Sequence, residues 1–381
     1  MKIITIVGAR PQFIKAAAIS RAIKKFFSER IEELIMHSGQ HYDDNMSRVF
    51  FEEMAIPHPK FNLEVGSGTH GFQTGEIIRR TEQVLLEEKP DMVLVYGDTN
   101  TTLAGSLAAS KLRIPVAHIE AGLRSFNKSM PEEINRVVCD HLSTFLFSPT
   151  QTGFKNLAKE GFDPDAQPPY TIDHPGIYHC GDVMYDNALY YSQLAEERSK
   201  ILSDLALKGK DFILCTIHRD SNTDSADRLN AIMGSLDEIS RDQQIDFVLP
   251  LHPRTVKMMP VMLNSKLQKS IEANPFLRMT GPVTYFDMLL LENRCRMIIT
   301  DSGGVQKESY FFRKPCLVLR SESEWKELIE LGTATIVDAD PKMISDAFYR
   351  YYNQSPDQFP AIFGDGHAAE FILNELVKFL P

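Results

Sequence analysis

At 381 residues, with 43% hydrophobic content and interspersed charge, the chain is long enough for two globular domains with full cores. A formal net charge of −10 excludes general nucleic-acid binding, because no basic surplus exists to release counterions, but it leaves room for a small anion in a local basic pocket. No apolar run reaches the ~18 residues that span a bilayer, which argues against a membrane partner. The amino terminus enters a strand pattern without a signal peptide, and five cysteines (139, 180, 215, 295 and 316) lack paired spacing, so a cytoplasmic setting with buried thiols is expected.

Residues 3–7 (IITIV) read as a buried strand, after which Gly8-Ala9-Arg10-Pro11 turns into a helix reaching about Phe27. Neither GxGxxG nor GxxxxGK is present, so the turn is not a dinucleotide fingerprint or a Walker loop. What remains is a helix start carrying Arg10 and Lys15, which attracts phosphate through free N–H groups and the helix dipole. A second strand, 34–37, leads to Ser38-Gly39-Gln40-His41. His37 and His41 flank a glycine turn with no third ligand in sight, so no metal site is assigned there. The Gly-rich stretch 66–75 predicts a mobile loop, followed by a helix over 73–88.

Residues 92–136 hold the densest chemistry. An apolar run, 92–96, ends in Gly97-Asp98; a helical pattern starts at Thr101; a second apolar run, 115–119, ends in Glu120. This β-α-β pattern puts one carboxylate at the end of each strand, where open α/β sheets bind ligands. Pro131 then opens a helix with Glu132 and Glu133 in its first turn. Helix capping would account for any one of these acids. Three polar strand-end clusters within one unit point instead to an active site. Strand 144–147 and helix 151–161 complete this half, and the Pro- and Asp-dense segment 163–175 reads as a linker.

Beyond it the alternation resumes, with strands near 177–180, 212–217, 246–250, 296–300, 316–319 and 334–337. The pattern predicts an α/β protein of two Rossmann-like, doubly wound domains facing one another across a cleft. Two strands of the second half end in His218-Arg219 and His252-Pro253-Arg254; a core histidine bonded to backbone is the plain alternative for His218. The stretch 300–308 (TDSGGVQKE) contains the Asp-Ser-Gly-Gly also found around the serine of chymotrypsin-like proteases. Those are all-β, whereas here a buried strand feeds a helix. Ser302, Gly303 and Gly304 at that helix start form a diphosphate cradle. Glu308, one turn further, suits a ribose diol or, more plainly, a solvent-facing helix surface. The last helix, 368–379, could pack on either domain.

Taken together, these segments resemble the non-hydrolysing UDP-N-acetylglucosamine 2-epimerases over essentially the whole chain. The matching stretches are GARPQFIK (8–15), SGQH (38–41), GDTNTT (97–102), HIEAGLRS (118–125), PEEINR (131–136), IHR (217–219), LHPR (251–254), TDSGGVQKE (300–308) and GDGHAAE (364–370). The resemblance implies a glycosyltransferase-B type fold. Residues 1–165 with a C-terminal helix at 366–381 would form the catalytic domain, and 176–365 the UDP-binding domain. It further implies a homodimer, a UDP-sugar substrate and inversion at C2 without NAD or metal. Asp98, Glu120 and Glu133 match the family's catalytic carboxylates, with His218 alongside them. Arg10, Lys15, Gln40, His41, Arg136, Arg219, His252, Ser302, Gly303, Gly304, Glu308 and Arg313 would bind UDP and the sugar.

Two departures bear on the substrate. Gln12 stands where members acting on UDP-N-acetylglucosamine usually carry Glu, and residues 320–327 read RSESEWKE in place of the usual Arg-x-x-Thr-Glu-Arg-Pro-Glu. Both resemble the branch acting on UDP-2,3-diacetamido-2,3-dideoxy-glucuronate, where a neutral amide at Gln12 would donate to the sugar carboxylate that a glutamate would repel. Tyr42-Asp43-Asp44 also departs from the pattern of members with an allosteric substrate site. A glycosyltransferase would share the fold and cradle but would need no carboxylates on both sugar faces, and a non-catalytic sensor would need none at all.

Overall fold

The computed structural model describes residues 1–39 and 56–379, so Gln40, His41, Tyr42, Asp43 and Asp44 lie outside the described residues. The chain divides into two compact units, Met1–Asn187 with Ala361–Pro381, and Ala188–Pro360.

The first unit is built on a parallel sheet of β1 (Lys2–Val7), β2 (Glu32–His37), β3 (Phe61–Asn62), β4 (Met92–Tyr96), β5 (Val116–Ile119), β6 (Phe145–Ser148) and β7 (Gly176–His179). Their order is β3-β2-β1-β4-β5-β6-β7. Helices cover both faces, which is why the strands read as continuous apolar runs: Ile4, Ile6, Val93 and Val95 are all fully buried. Strand order reverses between β1 and β4, the switch point where such sheets bind ligands. Local chemistry starts the helices that follow. Thr99 caps helix Asn100–Lys111 through a reciprocal bond with Thr102, and Pro131 opens helix Pro131–Leu142.

The structure differs from the sequence reading at several elements. The strand expected near 177–180 at the head of the second half is β7, the edge of the first sheet, hydrogen-bonded to β6. Segment 163–175 therefore loops within the first unit, and the division falls inside helix Val183–Arg198 instead. Helix His70–Glu88 starts before residue 73 because Thr69 caps it by accepting from the Phe72 N–H, and this shortens the glycine-rich loop. The C-terminal helix Ala368–Lys378 belongs to the first unit and packs on helix Arg10–Ala22. The Asp186 carboxylate accepts from the Ala368 and Ala369 N–H groups at 3.1 and 2.8 Å, satisfying two of that helix's orphan donors.

The second unit carries β8 (Phe212–Thr216), β9 (Asp246–Pro250), β10 (Leu277–Thr280), β11 (Met297–Thr300), β12 (Cys316–Val318) and β13 (Ala334–Ile336) in the order β10-β9-β8-β11-β12-β13. Strand β10 left no apolar run in the sequence because it is an edge: Leu277 is buried, Met279 is exposed, and Arg278 pairs with Asp246 at 2.8 Å. The switch point here lies between β8 and β11. Among the described residues of the whole chain, no helix is long and apolar enough to cross a membrane.

One close backbone approach sets the turn after β5. Gly122 has φ +79°, and a Cβ there would lie 2.3 Å from the carbonyl oxygen of Gly153. Backbone on both sides cannot yield as a flexible side chain would. Gly122→Ala is expected to cost about 3 kcal/mol or more, read as a lowered urea midpoint at unchanged m-value; a midpoint within error of the natural chain would contradict the close approach.

Candidate active site

At the first switch point, Asp98 and Glu120 follow β4 and β5, and each meets a cation. Arg136 bridges two acids, pairing with Asp98 through Nη2 and with Glu133 through Nη1 at 2.8 Å. Lys15 pairs with Glu120. Gly97, at φ +62°, lies over that pair: a Cβ there would sit 3.2 Å from Lys15 Nζ and 3.3 Å from Glu120 Oε2. Glu120 itself has φ +80°, a left-handed conformation uncommon for any residue but glycine. The Asp98 side chain is 30% exposed and that of Glu120 15%, so both are accessible yet held. The Asp98 carbonyl accepts from Asn135 Nδ2 at 2.9 Å, tying the turn to helix Pro131–Leu142.

Glu133, expected among the catalytic carboxylates, is held more closely than Asp98 or Glu120. It is 2% exposed, and its oxygens accept from the Ser125 N–H (2.9 Å), the Ser125 hydroxyl (3.0 Å), the Phe126 N–H (3.0 Å) and Arg136. Burial works to raise its pKa, but these donors outweigh burial and hold the carboxyl below its usual range. As placed, Glu133 anchors the 125–126 turn and aims Arg136 at Asp98.

Gln12 also departs from expectation. It is 1% exposed, and its amide is fully used. Oε1 accepts from the Gly8 and Ala9 N–H groups at 2.8 and 3.1 Å, and Nε2 donates to the Tyr96 carbonyl and Thr102 Oγ1 at 2.8 and 2.9 Å. Both donors of the amide are therefore committed within the chain rather than offered to a sugar carboxylate. The same bonds occupy N–H groups of the Gly8–Ala9 turn that were expected to be free for phosphate. Gln12 instead clips that turn to the end of β4. Arg10, the first residue of its helix, is exposed beside this clip.

Beneath the acids lies a buried charge network that the sequence reading missed. His118, on β5, is 0% exposed and sits 2.6 Å from Asp140 Oδ1 and 2.7 Å from the Gly97 carbonyl. Asp140 pairs in turn with Arg124 at 2.7 Å and accepts from the Gly122 N–H at 3.1 Å; Arg124 also pairs with Glu160 at 2.6 Å. Burial opposes charge on His118, but Cys139 and Asp140 overcome it and push its pKa up to about 10. The available signal was position: His118 lies two residues before Glu120 on β5, and Asp140 lies four residues, about one helical turn, after Arg136.

In the second unit, β11 is followed directly by Asp301, which is 0% exposed. Its carboxylate accepts from the His218 N–H (3.0 Å), the Arg219 N–H (3.0 Å) and Asn222 Nδ2 (3.1 Å), and lies 3.0 Å from His218 Nδ1. Burial alone would raise its pKa; the His218 ring and the other donors hold it low. Asp301 thereby orients His218, while Arg219 is exposed at the start of the next short helix. The His252 ring lies 6.0 Å from that of His218 and accepts from the Arg254 N–H at 3.2 Å as a helix cap.

Ser302, Gly303 and Gly304 form the start of helix Gly303–Phe311, with Ser302 as its cap. The departing segment at 320–327 lies against this cradle. Trp325 Nε1 donates to the Gly303 carbonyl at 2.9 Å, Ser323 donates to Gln306 at 2.6 Å, and Glu324, paired with Arg320 at 2.7 Å, would meet a Cβ on Gly303 at 2.2 Å. Glu308, half-buried one turn on, faces Glu292, whose carboxyl burial and the Glu308 charge push far above its usual range. Arg313 is not brought to the cradle. It follows the opposite end of this helix, roughly 13 Å away, and is exposed.

The Gln12 clip makes a stability claim. Gln12→Glu removes both donations and puts a carboxylate in a site that is almost closed to water, so burial should raise its folded pKa above the unfolded value. Stability is then retained below the unfolded pKa and lost as pH rises through the folded one. We expect a loss of about 1–3 kcal/mol at pH 7 that shrinks toward pH 4, measured as the difference in thermal midpoint; a difference independent of pH would contradict it.

A family model described as UDP-N-acetylglucosamine 2-epimerase matches residues 24–377. A Methanococcus maripaludis protein named UDP-N-acetylglucosamine 2-epimerase homolog is 46% identical, over 99% of both chains. The UDP-2,3-diacetamido-2,3-dideoxy-D-glucuronate 2-epimerase of Pseudomonas aeruginosa is 45% identical, over 99% of this chain and 100% of its own. Among solved structures, Methanocaldococcus jannaschii UDP-GlcNAc 2-epimerase in complex with UDP-GlcNAc and UDP is 39% identical with a TM-score of 0.82, covering 99% of this chain and 100% of that one. The fold is the two-unit α/β type of the glycosyltransferase-B class. The chain thus belongs to the UDP-N-acetylglucosamine 2-epimerase family and is an isomerase, a UDP-sugar 2-epimerase.

Proposed function

We propose that this enzyme inverts C2 of a UDP-2-acetamido sugar by elimination and re-addition of UDP. A carboxylate removes the C2 proton, the C1–O bond breaks with its electron pair leaving on the diphosphate, and a C1=C2 double bond forms. Re-addition reverses these steps with the proton delivered to the other face. The observation that supports this reading is the pair of acids at adjacent strand ends, Asp98 against Arg136 and Glu120 against Lys15. Two accessible carboxylates with separate cations are what a two-faced proton exchange requires. The Ser302–Gly304 helix end, with His218 and Arg219, supplies the positive potential that a leaving diphosphate needs. Glu133 acts through Arg136.

We read the substrate as the diacetamido glucuronate. Support comes from the 45% identity to the Pseudomonas enzyme of that name and from the departing segment 320–327 lying against the cradle. Gln12 takes no direct part. The working form is read as a cytoplasmic homodimer, for which exposed Met130, Ile134 and Val138 at helical spacing offer an apolar face.

Two measurements test this. Product formed in D2O should carry deuterium at C2, and Asp98→Asn should keep UDP binding while losing ~10²-fold or more in turnover; product without deuterium, or near-normal turnover, would remove the elimination or Asp98 from it. For the substrate, kcat/KM should favour the diacetamido uronate over UDP-N-acetylglucosamine, and the reverse order would overturn the uronate reading.

A further inference from the structure

The buried network around His118 has a proton count that its geometry nearly fixes. Nε2 lies 2.7 Å from the Gly97 carbonyl oxygen, which can only accept, and Nδ1 lies 2.6 Å from Asp140 Oδ1. A neutral imidazole has one N–H to give. Both contacts are satisfied if the ring carries two protons, or if Asp140 carries one. Arg124 and the Gly122 N–H on the other oxygen of Asp140 favour its ionised form. The proton therefore belongs on the ring, in a pair whose two members are both 0% exposed.

We propose that His118 is a permanent imidazolium and a positioning residue for the epimerase reaction, pinning the Gly97 carbonyl and so the Asp98 turn while lending fixed positive charge to Asp98 and Glu120. It touches no reacting atom. The carbonyl it holds belongs to the residue immediately before Asp98, and His118 itself precedes Glu120 by two positions on β5, so one ring fixes the ends of both strands. The charged and titratable groups around it are Asp140, Cys139 and Arg136 from helix Pro131–Leu142, Arg124 and Glu160 beyond Asp140, and Lys15 at Glu120. This inference rests on the reading that Asp98 and Glu120 exchange the C2 proton.

The test has one arm that needs no variant. In the natural chain labelled with 13C and 15N, the His118 ring, identified by linking its side-chain signals to its assigned backbone, should show both nitrogens protonated from pH 6 to pH 9. A neutral tautomer at pH 7 overturns the proposal even if the variant does not fold. In the second arm, His118→Gln is expected to lose ~10²-fold in kcat with KM and UDP affinity within about threefold. The acid limb of its kcat–pH profile should move up by roughly half a unit to one unit, because removing a nearby positive charge makes a carboxylate less acidic. A purely structural histidine would lower the thermal midpoint and leave that limb in place, and this result also overturns the proposal. Failure of the underlying reading is distinguishable: it appears as absence of C2 deuterium exchange in the natural enzyme, whatever the protonation of His118.

Discussion

A carboxylate at the end of a buried strand must bring a cation or a set of donors with it, and the architecture of both units follows from that requirement. Ionised acids without partners would cost several kcal/mol each in a low-dielectric interior. Each acid at the two switch points is answered. Lys15 comes from the helix after β1, Arg136 from the helix after β5, and the backbone N–H groups of His218 and Arg219 turn in toward Asp301. The helices are anchored where the cations are needed, by a clip at Gln12 and a carboxylate at Glu133.

The degree of satisfaction separates the acids by task. Asp140, Glu133 and Asp301 are closed to solvent and surrounded by donors, and their pKa values are held low against burial. Such groups have no reason to change protonation during a catalytic cycle; their work is geometry. Asp98 and Glu120 keep part of their surface open, and each is paired with a single cation. On the proposed function, identical side-chain chemistry serves as scaffold or as reagent according to how many donors the fold supplies.

Much of this was legible because strand ends and helix starts are local. A run of Val, Leu and Ile that stops at Gly-Asp or Thr-Asp-Ser-Gly-Gly announces both the strand and the site at its end, and the acids at 98, 120 and 301 fall where the pattern puts them. What the pattern withheld was tertiary. Gln12 looked like a ligand contact because position in the chain does not say that Tyr96 and Thr102 claim its amide. Arg313 looked basic and near a binding helix, but helix length carries it to the far end. Strand β7 followed a proline-rich stretch that imitates a linker, and only its pairing with β6 assigns it to the first sheet. His118 and Asp140 acquire meaning only when β5 and helix Pro131–Leu142 are packed together.

The start of helix Gly303–Phe311 already has a carboxylate beside it. Glu324 reaches Gly303, at the positive end of helix Gly303–Phe311, while remaining tied to Arg320. On the proposed function, an arriving diphosphate would meet this resident anion, and its apparent affinity would be lowered by the fraction of time that carboxylate occupies the helix end. The same competition acts on the way out. A UDP-sugar epimerase must let its product go intact, and on the same reading a side chain that reclaims the site would shorten the dwell time of product. Weakened ground-state binding of this kind is a route to turnover rather than a defect of recognition.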